Sequence, residues 1–179
     1  VEELNIMAKT ESTKQLEELL RCQFNSRNNF YVFECTIGWY GEEIVDCIMY
    51  NCQREIYCYE IKQSKSDFHS KAKLTFIGNR NYYVMPYELY LQVKHEIPIE
   101  IGVYVSIKTI NTRDFSQDEW NEYNLKRQNG IYENGFDELI CIKKCYKRQE
   151  LKADKEVILS SMLRSMQRDR YRSLERVEE

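Results

Sequence analysis

The chain has 179 residues, 42% hydrophobic and 31% charged, with a formal net charge of −3. That balance fits one globular domain with a substantial core and excludes collagen-like, low-complexity and disordered chains. It also excludes a protein that coats nucleic acid by bulk positive charge, so any such contact has to come from local basic clusters.

No apolar run reaches the ~20 residues that a membrane-spanning helix needs. The opening stretch VEELNIMAKTESTKQ lacks a basic region followed by an apolar one, so the expected location is the cytoplasm. Seven cysteines are an odd number, none forms a Cys-x-x-Cys pair, and His69 and His95 are the only histidines. Reduced core thiols are therefore expected rather than a zinc site.

In chain order, Ser12 or Thr13 opens a helix over 12–25, with Leu16, Leu19, Leu20 and Phe24 at helical spacing. Three strand-like runs follow at 30–37, 42–51 and 54–62. Their short connections predict an antiparallel meander. A helix is predicted over 64–78, capped by Ser64 or Ser66 and ended by Gly78. Then come a strand at 81–86 stopped by Pro86, a helix at 87–96 and a strand at 101–107, which predicts a partly parallel sheet. Residues 111–150 read as a polar accessory insertion with helix-like pieces, and 151–179 as a long terminal helix with Val157, Ile158, Met162, Leu163 and Met166 at helical spacing. The core is thus expected within 1–110, the whole forming one domain.

The stretch CYEIKQSKSDF (58–68) sets two opposite charges inside a strand. Glu60 and Lys62 share a face with Ile56 and Cys58. Asp46 interrupts the apolar run of the preceding strand, and Glu34 interrupts the strand before that. Three buried carboxylates without a cation would be untenable. A hard divalent ion supplies that cation, and a lysine beside it can offset charge on a phosphate in flight.

Asp46, thirteen residues, then Glu60-Ile61-Lys62 resembles the PD-(D/E)xK nuclease superfamily. The surrounding FECTIG, EEIVDCIMY, REIYCYEIKQSKSDFHSKAK and NRNYYVMP look like its MmcB-type DNA-repair branch and related phage nucleases. The motif's leading Pro is Val45 here. The resemblance covers 30–107. It implies a restriction-endonuclease-like α/β (α+β) fold: a mixed central sheet of four or five strands with helices on both faces. It also implies hydrolysis of DNA, duplex or branched, with Mg²⁺ or Mn²⁺, in a bacterial or phage-infected cell, and a homodimer as one way to cut both strands. Asp46 and Glu60 would hold the metal, with Ile61 between motif residues as a further ligand. Lys62 would be catalytic and Glu34 an additional acid of the site. Members often add a metal-binding Glu from the helix before the first strand, here Glu17 or Glu18. Ser64, Asp67 and Lys73 would support the substrate side or the following helix.

Lys65, Lys71 and Lys73, with Arg80 beyond, are phosphate contacts or simply a solvated helix face. The basic runs at 142–148 and 168–176 admit the same two readings. Tyr82 and Tyr83 are base-stacking or core residues, and His69 a site or surface residue. Two other functions stay open: a nuclease fold that binds nucleic acid or protein without turnover, and a structural subunit of a phage or mobile-element complex that contacts its partner through 111–179.

Overall fold

The computed structural model describes residues 10–24, 28–38, 43–70, 75–109, 117–118, 121 and 136–175. The first helix, α1 (Glu11–Phe24), begins one step earlier than expected, because the Thr10 hydroxyl accepts a hydrogen bond from the Thr13 amide at 3.3 Å. Its buried face is Leu16, Glu17, Leu20 and Phe24.

The predicted meander is present as β1 (Asn29–Ile37), β2 (Glu43–Asn51) and β3 (Ile56–Ile61), each antiparallel to the next. After α2 (Lys65–Phe68), β4 (Arg80–Pro86) lies parallel to β3. After α3 (Tyr87–Val93), β5 (Gly102–Thr109) lies parallel to β4. β6 (Phe136–Lys143) then pairs antiparallel with β5, and the chain ends in α4 (Lys155–Glu175).

The result is a six-stranded mixed α+β sheet in the order β1-β2-β3-β4-β5-β6. The expected count of four or five strands is corrected by β6. It comes from a stretch that reads as part of a polar insertion, and tertiary pairing with β5 overrides that local polarity.

Helices cover both faces. α1 packs Leu16, Leu20 and Phe24 on Phe33, Cys47, Met49, Tyr59 and Val84. On the opposite face α4 sets Ile158 and Met162 against Val32, Val45, Ile48 and Cys58, while α3 sets Leu89 and Val93 against Tyr83, Met85, Val103 and Val105. Burying each such aliphatic side chain contributes about 1.5–3 kcal/mol, so this three-layer packing is what fixes the sheet.

The helix predicted over 64–78 is corrected in the described residues: among 64–70 and 75–78 only Lys65–Phe68 are helical, and 71–74 lie outside the described residues. Residues 75–79 are buried without regular structure, and neighbours Phe76 and Ile77 feed two different apolar clusters. A helix has no solvent face to offer there. Gly78 does not cap a helix; it lets β3 come close, since a Cβ on it would sit 2.8 Å from the Ile56 carbonyl oxygen.

β1 is a sheet edge, with carbonyls that another strand could pair with. Two arginines of α4 cover it. Arg164 donates to the Gly38 carbonyl at 2.8 Å, and Arg168 to the Phe33 and Glu34 carbonyls, each at 3.3 Å.

Candidate active site

Strict alternation would put Val32 and Cys35 on opposite faces of β1, yet both lie under α4. Val45 and Ile48 of β2 repeat the anomaly. The slip occurs at Glu34 and Asp46. Glu34 adopts a φ of +50°, a conformation costing about 1–2 kcal/mol for a residue with a Cβ. The ladder is paired on both sides, Phe33 with Cys47 and Cys35 with Val45, which leaves Glu34 facing Asp46 across the slip.

The β2–β3 ladder ends at Cys47–Tyr59. Continued by one residue it would pair Asp46 with Glu60, but the strands part there. The Asp46 carboxylate instead accepts the Ile61 amide at 2.8 Å. The three acids therefore stand at one level across three neighbouring strands, at the point where the sheet opens.

The opening is a cleft of about 360 Å³ lined by Glu17, Glu34, Asp46, Glu60, Lys62 and Asp67, with Thr13, Ile44, Ile61 and Gln63. Glu60 is 4% exposed and Lys62 5%. Burial pushes the Glu60 carboxyl up to about 7, and the neighbouring Asp46 charge adds to the rise, while the Thr75 amide, 3.1 Å from Oε1, and Lys62 oppose it. Burial also raises Asp46, against the pull of the Ile61 amide and Lys62. Two acids crowded this way resist carrying two charges.

Lys62 leaves β3 with its amide bonded to the Val84 carbonyl at 2.9 Å, and its ammonium lies 3.8 Å from Asp67 Oδ1. Asp67 is itself held: its Oδ2 accepts the Gln63 amide at 3.0 Å, and its amide donates to Ser64 Oγ at 3.2 Å. Ser64 thus caps α2, where the sequence also allowed a place on the substrate side.

The remaining candidates separate. Glu17 is buried in the cleft, whereas Glu18 is solvent-exposed, 3.7 Å from Arg21. Ile61 packs its side chain under α1, so only its backbone carbonyl is left as a donor. Lys65 is exposed on α2, and Lys71 and Lys73 lie outside the described residues.

Tyr82 and Tyr83 are core residues rather than stacking platforms, 7% and 3% exposed. His69 pairs with Glu96 at 2.6 Å on the surface. In the 142–148 run, Lys143 holds the Ile97 and Pro98 carbonyls, and Arg148 pairs with Glu55 at 3.1 Å.

Sequence reasoning missed Gln63, whose side-chain amide bonds the hydroxyls of Thr10 and Thr13 and so ties α1 to the site. Its one signal was its place directly after the motif lysine. The partners lie some fifty residues upstream, beyond any local pattern.

The residues fit a hard divalent cation. Such ions take one or two carboxylates and keep several waters, and two carboxyls whose pKa values are raised by burial beside each other gain from a cation between them. Among the described residues no group of three or more His, Cys, Asp or Glu is arranged to hold a metal; the residues that would hold one in this cleft are Asp46 and Glu60, with the Ile61 carbonyl. Among the same residues no helix is long and apolar enough to cross a membrane.

No family model matches the sequence, and no curated protein matches it either. Among solved structures, a protein of unknown function from Silicibacter pomeroyi is similar, with 15% identity over 96% of each chain and a TM-score of 0.61. At that identity the likeness establishes the fold: a mixed sheet flanked by helices.

Proposed function

We propose that the protein is a metal-dependent nuclease that hydrolyses DNA phosphodiester bonds. The observation that carries this reading is the meeting of Asp46, Glu60 and Lys62 in one cleft, two crowded carboxyls and a buried ammonium, where β2 and β3 part. A structural role alone gives no reason to bury Glu60 and Lys62 beside the half-buried Asp46, since well-packed apolar residues serve a core at least as well.

Asp46 and Glu60 would hold Mg²⁺ or Mn²⁺, which when bound polarises a phosphate and lowers the pKa of a coordinated water. Lys62, fixed at the end of β3 and held toward Asp67, would donate to a non-bridging phosphate oxygen and offset the charge that grows there. Glu34 and Glu17 would accept hydrogen bonds from waters in the cleft and orient them for attack. Gln63, anchored to α1, would keep that wall in place as the strand enters.

The test is cleavage of linear duplex, single-stranded and branched DNA with Mg²⁺, Mn²⁺ or EDTA, comparing the parent with Lys62→Ala and Asp46→Asn. Metal-dependent cutting lost in both variants supports the reading. A folded parent that cuts none of the substrates, with a melting temperature indifferent to divalent metal, sinks it in favour of a binding module.

A further inference from the structure

A second cleft, about 300 Å³, lies beside the first and shares Glu34 with it. Its floor is the slipped stretch of β1 at Phe33 and Glu34. Its walls are Arg21 of α1 and Arg168, Asp169, Arg172 and Ser173 of α4.

These arginines are not equivalent. Arg168 is committed to structure: it donates to the Phe33 and Glu34 carbonyls and, at 3.1 Å, to Asp169. Arg21 lies over the Phe33 ring at 4.3 Å from its centroid, and among the described residues its one acid partner is Glu18, 3.7 Å away on the exposed surface. Arg172 is one helical turn beyond Arg168, about 6 Å along the axis. Its side chain has no hydrogen bond or ion pair among the described residues.

We propose that this cleft binds the phosphodiester backbone of the nucleic-acid strand passing through the Asp46–Glu60–Lys62 cleft, with Arg21 and Arg172 as the phosphate contacts. The proposal rests on the nuclease reading for the strand's destination but not for the contact itself.

Three features favour a phosphate strand over an acidic peptide. Glu34 lines both clefts, so they are neighbours along the β1 edge and a strand leaving one would meet the other. Arg21 is held by its cation–π contact with the Phe33 ring, which fixes the guanidinium at the cleft wall, and a guanidinium can bind phosphate oxygens in bidentate fashion. The lining carries three arginines against Glu34 and Asp169, and Asp169 is already neutralised by Arg168. The surplus is local, as a net-acidic chain requires of any nucleic-acid contact.

The experiment is fluorescence anisotropy of a labelled single-stranded oligonucleotide and a labelled duplex, in EDTA so that nothing is cut, across a KCl series. The full chain is compared with Arg21→Gln/Arg172→Gln and with Arg170→Gln on the same helix. The double variant is expected to bind about tenfold or more weakly and to lower the slope of log affinity against log salt by about 1.4–1.8. Arg170→Gln should bind within twofold of the parent, and all three should melt alike.

Equal affinity and slope in parent and double variant, an equal loss in Arg170→Gln, or no binding by the parent each overturn the proposal. Cutting is read separately. A parent that binds through these arginines but cleaves nothing leaves this contact standing while the nuclease reading falls.

Discussion

The Asp46 carboxylate accepts the Ile61 amide at 2.8 Å, in the place where an unbroken ladder would pair Asp46 with Glu60. That one bond replaces a backbone interaction and brings the two acids together. It holds β2 to β3 at the mouth of the cleft.

The acid pair predicts a pH-dependent stability. Glu60 titrates at about 7 in the folded chain against an ordinary 4.5, so between those values the native state binds more protons than the unfolded one. Stability is therefore highest below about pH 4.5 as far as this group is concerned, falls as pH rises to about 7, and levels off above. The full effect is at most about 3 kcal/mol. Chemical denaturation of parent and Glu60→Gln at several pH values checks it: the variant should lack the decline, and parallel curves would refute it.

Divalent cation should reverse that loss. On the proposed reading Mg²⁺ or Mn²⁺ would bind the deprotonated pair, so the melting temperature should rise more at pH 8 than at pH 6. Asp46→Asn and Glu60→Gln should each abolish most of the rise. A calorimetric scan with and without metal reads the result, and a rise that survives both substitutions would place the metal elsewhere.

Lys62→Met retains the buried stem and removes the ammonium. The fold should persist, as followed by circular dichroism, while cutting falls about 10²–10³-fold, the loss typical of one aimed donor. A variant that cuts within a few-fold of the parent would assign Lys62 to the Asp67 ion pair alone.

Glu34 combines a strained backbone with a place in the cleft. Glu34→Gly should stabilise the apo protein by about 1 kcal/mol through relief of the positive φ. It should also weaken metal-dependent cutting, and Glu34→Ala should weaken cutting without the gain in stability. Denaturation midpoints of the two variants separate strain from chemistry.

Gly78→Ala tests the packing behind the site. Its Cβ would meet the Ile56 oxygen at 2.8 Å and the Cys58 amide and Arg80 oxygen at 3.1 Å, all backbone of the β3–β4 pair. A loss on the order of 2–3 kcal/mol is expected. An unchanged midpoint would mean that the strands separate at little cost.

How much of this was written locally differs from element to element. The meander, α1, the β4–α3–β5 unit and the terminal helix follow from hydrophobic period and turn residues, because the period and the turns that bound each element are written within a few residues. The acids at Glu34, Asp46 and Glu60 were visible as charges breaking apolar runs, since a carboxylate inside a strand needs a local reason.

What the tertiary structure decided depends on partners far along the chain. Phe136–Lys143 became a strand because β5 offered an open edge. The described end of the 64–78 stretch, from Thr75 on, is not helical because Phe76 and Ile77 are needed in two cores at once. The choice of Glu17 over Glu18 came from which side of α1 faces the sheet, and Gln63 gained its role from Thr10 and Thr13. Local sequence carries period and charge; it does not carry the slip at Glu34 and Asp46 or the parting of β2 from β3, and those two events turn three separated acids into one site.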